Sequence, residues 1–141
     1  MIFPPPRDVL PHTGRAVLLD EILDDGDDHL VAAATITPSH PFFVEGHGVP
    51  VWVGIELMAQ AIAAHAGLAG RRANRAPRRG MLLGTRHYHG HVAWFPVGAR
   101  LVIHVEREFG DSGGAAACRC RIDCDGAVAA EATITIIEEK E

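Results

Sequence analysis

The chain has no basic amino-terminal region followed by an apolar core. It opens instead with MIFPPPRDVLPH, three successive prolines and an early acid, so no export signal is expected. Cysteine is scarce and odd in number. Cys118, Cys120 and Cys124 lie within one alternating run, which argues against a secreted disulfide framework and fits a reducing cytoplasm. Positive charge is in deficit, with 13 Lys and Arg against 18 Asp and Glu. A general nucleic-acid surface is therefore not expected. No linker, internal repeat or low-complexity tract divides the 141 residues, and one domain over 1–141 is the expectation.

What is present suits a soluble globular chain, with 48% hydrophobic and 22% charged residues. Charge is unevenly placed. Acid gathers in Asp20, Glu21, Asp24, Asp25, Asp27 and Asp28, and Arg71, Arg72, Arg75, Arg78 and Arg79 crowd one short segment.

Arg15 to Leu23 and His29 to Thr37 are strand-like runs flanking DDGDD, and together predict an antiparallel hairpin. A loop punctuated by proline and glycine, PSHPFFVEGHGVP, leads into VPVWVGIELMAQAIAAHAGLAG. That run is too long for a strand, is rich in Ala, Leu and Met, and predicts a helix ending near Gly67 and Gly70. Gly80 to Arg86, His87 to Phe95, Ala99 to Glu108, Ala115 to Cys124 and Ala127 to Glu138 predict strands separated by FPVG, GDSGG and DG turns. Alternating apolar positions in the later strands offer one face to a partner layer. An α+β fold follows, an antiparallel sheet curled around one helix. The other reading of the helix is a membrane span flanked by RRANRAPRR. The mid-run acid and the weakly hydrophobic Ala and Gly argue against it.

That acid is Glu56. An ionised carboxylate in apolar surroundings needs a donor, a proton or a cleft. Gln60 stands at i+4 on the same helix face and can orient it. The choice lies between a catalytic acid and a rim residue favoured by the helix N-terminus.

GVPVWVGIELMAQ, Gly48 to Gln60, resembles the start of the central helix of hotdog-fold β-hydroxyacyl-acyl-carrier-protein dehydratases. Pro50, Glu56, Ala59 and Gln60 match that pattern, with Val51 where the family has Gly. LPHTGRAVLLDEIL, GMLLGTR and WFPVGARLVIHVE resemble three further family segments in the same order. The series PFF, GVPxWVGIExMAQ and GxLLGTR is most similar to small dehydratase-like proteins of aryl-polyene biosynthetic clusters.

The resemblance implies a hotdog fold, dehydration of 3-hydroxyacyl thioesters on acyl carrier protein, no cofactor or metal, and a homodimer or heterodimer with another hotdog dehydratase. A hotdog thioesterase and a non-catalytic subunit that binds acyl carrier protein are the alternatives. In the family a loop histidine, fourteen positions before the Glu, works with the Glu of the partner subunit. Phe42 occupies that position here. His47, between two glycines, and His40, beside PFF, are the candidate replacements.

The chemistry needs one base for the C2 proton and one acid for the C3 hydroxyl. A neutral histidine and a Glu raised by apolar surroundings suit those roles. Backbone N–H groups around Val51 to Gly54 are the expected stabilisers of the thioester oxygen, and Trp52 and Trp94 are candidates for an acyl tunnel or the core. Arg71 and Arg75 could steer an acidic carrier protein and its phosphopantetheine arm, or the arginine run could be a solvated loop. In HYHGH the alternating His87, His89 and His91 resemble a metal run but lack an acidic or Cys companion. CRCRIDC places its cysteines on one face, which predicts packing.

Overall fold

The computed structural model describes residues 2–74, 80–108 and 115–138. From Pro6 to Ala16 the chain makes two short 3-10 turns, Pro6–Asp8 and Gly14–Ala16. The first strands are β1 (Glu21–Asp25) and β2 (His29–Thr35). A short strand, β3 (Val49–Pro50), runs through a 3-10 turn, Val51–Val53, into the helix α1 (Gly54–Arg72). Then follow β4 (Gly80–Gly90), β5 (Trp94–Phe95), β6 (Arg100–Arg107), β7 (Ala115–Cys124) and β8 (Ala127–Glu138).

Six strands pair antiparallel in the order β1-β2-β6-β7-β8-β4, and β3 pairs separately with β5. Leu30 lies opposite Val105, Ile103 opposite Ile122, and Cys118 opposite Ile134. Because side chains alternate along a strand, this register turns Leu30, Ala32, Leu101, Ile103, Cys118, Cys120, Ile122, Ile134 and Ile136 into one buried layer. The helix closes it. Leu57, Met58, Ala61, Ala64 and Leu68 recur at helical spacing and are buried. Each large apolar side chain in this layer contributes about 1.5–3 kcal/mol on removal from water. The sheet wrapped around α1 is the hotdog arrangement. Although Val51–Arg72 is long and apolar enough to cross a bilayer, half of its most apolar window is buried against the protein's own strands.

Four elements differ from the sequence expectation. The first hairpin strand begins at Glu21, not Arg15, because Ala16 and Leu18 are held by a helix side chain rather than by a neighbouring strand. The helix passes Gly67 and Gly70 and ends at Arg72. A Cβ at Gly67 would stand 2.3 Å from the Val9 carbonyl oxygen, so this glycine permits close packing of the amino-terminal segment rather than a helix stop. The two strands expected over 80–95 are one long strand, β4, and the two-residue β5. Irregularities between Leu82 and Gly84 and between Arg86 and His89 bend β4, and His87 adopts a left-handed φ of 56° at the second. The DG turn is as expected, with Asp125 and Gly126 both at positive φ between β7 and β8. The expected GDSGG turn lies outside the described residues.

Candidate active site

Pro50 and the 3-10 turn Val51–Val53 set the direction in which α1 starts. Gly54 lets it lie close to the sheet. A Cβ there would sit 2.4 Å from the Tyr88 hydroxyl and 3.0 Å from Ile122 Cδ1. The Tyr88 hydroxyl donates to the Val51 carbonyl, and burial pushes the phenol up to about 12, so it remains a donor. Tyr88 was hidden in the sequence by the histidines around it.

Glu56 follows in the first turn of α1, where the helix dipole favours negative charge. Its side chain is 45% exposed. Gln60, one turn on, is fully buried and uses its whole amide group. Its Nε2 donates to Glu56 Oε1 at 3.0 Å and to the Ala16 carbonyl at 2.6 Å, while its Oε1 accepts the Leu18 N–H at 2.9 Å. One side chain thus ties the amino-terminal segment to the helix and fixes the carboxylate.

His12, brought by that segment, places Nε2 at 3.4 Å from Glu56 Oε1. Among the described residues it is the histidine within ion-pair distance of Glu56. No spacing rule could have found it, since it lies 44 positions upstream. The signal was the LPH triplet of the amino-terminal motif.

Glu56 opens onto a cavity of about 610 Å³ lined by Leu18, Pro41, Phe42, Trp52, Val53 and Ile55, with Arg15 at its edge. Phe42 and Trp52 meet edge to face, ring centres 5.7 Å apart. Trp52 is largely exposed and Phe42 is exposed beside it. A mostly apolar groove with one held carboxylate suits an extended acyl chain carrying a single reacting polar group.

The two loop histidines do not reach Glu56 within this chain. His40 is half-buried; its Nδ1 accepts the Phe42 N–H at 3.1 Å, which leaves the proton on Nε2. Burial lowers its basicity, opposed in part by nearby Asp20. His47 is exposed and stacks on Trp94, ring centres 4.6 Å apart and planes 21° from parallel. It stands on the Val44 to Gly48 turn, closed by the His47 and Gly48 N–H groups on the Val44 carbonyl.

Two expected backbone donors are engaged elsewhere. The Val51 N–H donates to the Ala93 carbonyl, and the Gly54 N–H donates within the 3-10 turn. Neither is available to a thioester oxygen in this arrangement. Arg71 is exposed at the helix end, whereas Arg72 pairs with the fully buried carboxylate of Asp25. Arg75 lies outside the described residues. In the HYHGH run His91 pairs with Glu131 at 3.0 Å, and the bend at His87 breaks the alternation with His89. Cys118 and Cys120 are buried in the core layer, and burial raises the Cys120 thiol.

The comparisons with known proteins bear on this geometry. Over 64 residues the chain is 39% identical to the 3-hydroxyacyl-[acyl-carrier-protein] dehydratase FabZ of Streptococcus uberis. The match spans 44% of each chain, less than half the length of that relative. The FabZ of Streptococcus pyogenes is 41% identical over 61 residues, 42% of each chain. Among solved structures, the dehydratase heterocomplex ApeI:P from Xenorhabdus doucetiae superposes with a TM-score of 0.89 at 28% identity, covering 99% of this chain and 93% of the other. A hypothetical thioesterase protein from Streptococcus pneumoniae, solved with coenzyme A, has a TM-score of 0.64 at 16% identity over 86% of each chain, which is a likeness of fold. The sequence profile described as ApeP dehydratase matches residues 4–141, and the chain belongs to the ApeP-like dehydratase family.

Proposed function

We propose that the protein dehydrates 3-hydroxyacyl thioesters on acyl carrier protein to trans-2-enoyl thioesters, in fatty-acid-like or aryl-polyene biosynthesis in the cytoplasm. The observation that supports this most is the held carboxylate of Glu56 on the wall of an apolar cavity. A base takes the C2 proton and the C–H electron pair becomes the C2=C3 bond. The C3–O bond breaks as the hydroxyl receives the Glu56 proton and leaves as water. Leu18, Phe42, Trp52 and Ile55 supply an apolar wall for the acyl chain.

The base in this reading comes from a second subunit. Neither His40 nor His47 reaches this chain's own Glu56, and His47 is displayed on an exposed turn where it can face the acid of a partner. The partner we assign is a second, different hotdog dehydratase, by likeness to the ApeI:P heterocomplex. Arg71, with Arg75, is assigned to steering the acidic carrier protein, a contact that weakens with added salt.

The test incubates the protein, alone and with a co-expressed hotdog partner, with a 3-hydroxyacyl carrier protein, and follows the acyl chain by mass. Loss of one water, abolished by Glu56→Gln, is the expected result. Release of free acid would make the protein a thioesterase instead. No turnover with or without the partner would leave a subunit that only binds acyl carrier protein. His47→Ala and His40→Ala identify the base, and full activity in both would remove the His–Glu mechanism.

A further inference from the structure

The segment from Pro6 to Leu18 is pinned to α1 at two places. At one, the Val9 backbone packs against Gly67, and at the other Ala16 and Leu18 are bound by Gln60. His12 lies between the two anchors, so its approach to Glu56 follows from backbone placement rather than from a free side chain. Its ring is 29% exposed, and its Nδ1 is buried with no hydrogen-bond partner. Of the two neutral tautomers, the one with the proton on Nε2 places an N–H on the nitrogen that lies 3.4 Å from Glu56 Oε1.

Two groups therefore meet at the same oxygen, Gln60 Nε2, which donates to it at 3.0 Å, and His12 Nε2, at ion-pair distance, 3.4 Å. Among the described residues Oε2 has no hydrogen-bond partner. The two oxygens of one carboxyl are thus made unequal, one held and one left to react. As the proton leaves Oε2, negative charge grows over both oxygens, and the Gln60 donor and the His12 ring already beside Oε1 interact with it more strongly in the transition state.

We propose that His12 is a positioning residue for Glu56, holding Oε1 with Gln60 so that Oε2 gives its proton to the substrate hydroxyl. The inference rests on the dehydratase reading above. Donors that strengthen as the acid ionises act on the rate of the chemical step and leave substrate binding alone.

The experiment measures kcat and KM for dehydration of a 3-hydroxyacyl carrier protein by the intact protein with its hotdog partner. The variants are His12→Phe, which keeps a ring without a donor, and His12→Gln, which restores an N–H. Roughly a ten-fold fall in kcat for His12→Phe, with KM within about two-fold, is expected for loss of one donor to a charged group. His12→Gln is expected to recover most of that loss. Added to Glu56→Gln, whose side chain never becomes charged, His12→Phe is expected to change the residual rate by less than about two-fold. An active wild type with His12→Phe at full kcat overturns the inference and leaves the dehydratase reading standing. Equal losses in His12→Phe and His12→Gln, tracking a fall in melting temperature, assign His12 a structural role and also overturn it. An inactive wild type overturns the dehydratase reading itself.

Discussion

Replacing Gln60 by leucine removes a polar side chain whose every hydrogen-bonding group is used, at nearly constant volume. Its three partners do not suffer equally. Glu56 is half-exposed and Ala16 is an exposed residue, so water can replace the lost donor at both. Leu18 is buried, and its N–H has Gln60 Oε1 as its acceptor. An orphaned buried N–H costs about 1–3 kcal/mol, so about 2 kcal/mol is the expected destabilisation. At about 2.1 cal/mol/K per residue the unfolding entropy of a chain this size is roughly 0.3 kcal/mol/K, which converts that loss to a fall of about 7 °C in melting temperature. Thermal unfolding at fixed protein concentration, followed by circular dichroism, reads it directly. In the proposed dehydration the same variant is expected to lose most of its rate, because Glu56 Oε1 no longer has a fixed donor 3.0 Å away. A melting temperature within about 2 °C of the wild type would refute the reasoning, since the Leu18 N–H would then have another acceptor.

Gly54→Ala forces a Cβ to within 2.4 Å of the Tyr88 hydroxyl and is expected to destabilise by about 1–3 kcal/mol; the double change with Tyr88→Phe, which clears that hydroxyl, recovers part of the loss in chemical denaturation. Gly67→Ala meets the Val9 carbonyl oxygen at 2.3 Å, and faster amide exchange over residues 9–18 than in the rest of the core is the expected readout by mass spectrometry. His40 has its basicity lowered in the folded protein, chiefly by burial, so the stability it supports is present above about pH 6.5, its unfolded value, and is lost as pH falls through the lower folded value. Protonation at Nδ1 would also set two N–H groups against each other at Phe42. His40→Asn is therefore expected to flatten the melting-temperature profile between about pH 7 and 5, and an unchanged slope would refute this. Cys118→Ala and Cys120→Ala are expected to leave the reaction intact while lowering stability by about 1 kcal/mol each, the loss of a small packed side chain.

Local patterns carried much of the fold. Helix α1, the β7–β8 hairpin and the pairing of Glu56 with Gln60 all depend on residues close in sequence, where helical or strand periodicity decides which side chains share a face. The misreadings fall where a partner lies far along the chain. Residues 15–20 alternate like a strand, yet Gln60, more than forty positions on, takes the Ala16 carbonyl and the Leu18 N–H. Gly67 has the composition of a helix end, yet Val9 determines its use. His12 went unnoticed for the same reason, while His40 and His47 drew notice for being near the helix. Val51 N–H looked free at a helix start until β-strand geometry brought Ala93 to it.

The clamp made by Gln60 also has a consequence for the order in which the protein can acquire its shape. Residues 12–18 leave the ribosome long before Gln60 is made, and nothing before it in the chain offers the bonds that Ala16 and Leu18 accept and donate. Residues 12–18 must therefore wait through the β1–β2 hairpin and the loop beyond it. Ala16 and Leu18 can settle only once the helix has emerged, so they find their place after residues made later than themselves.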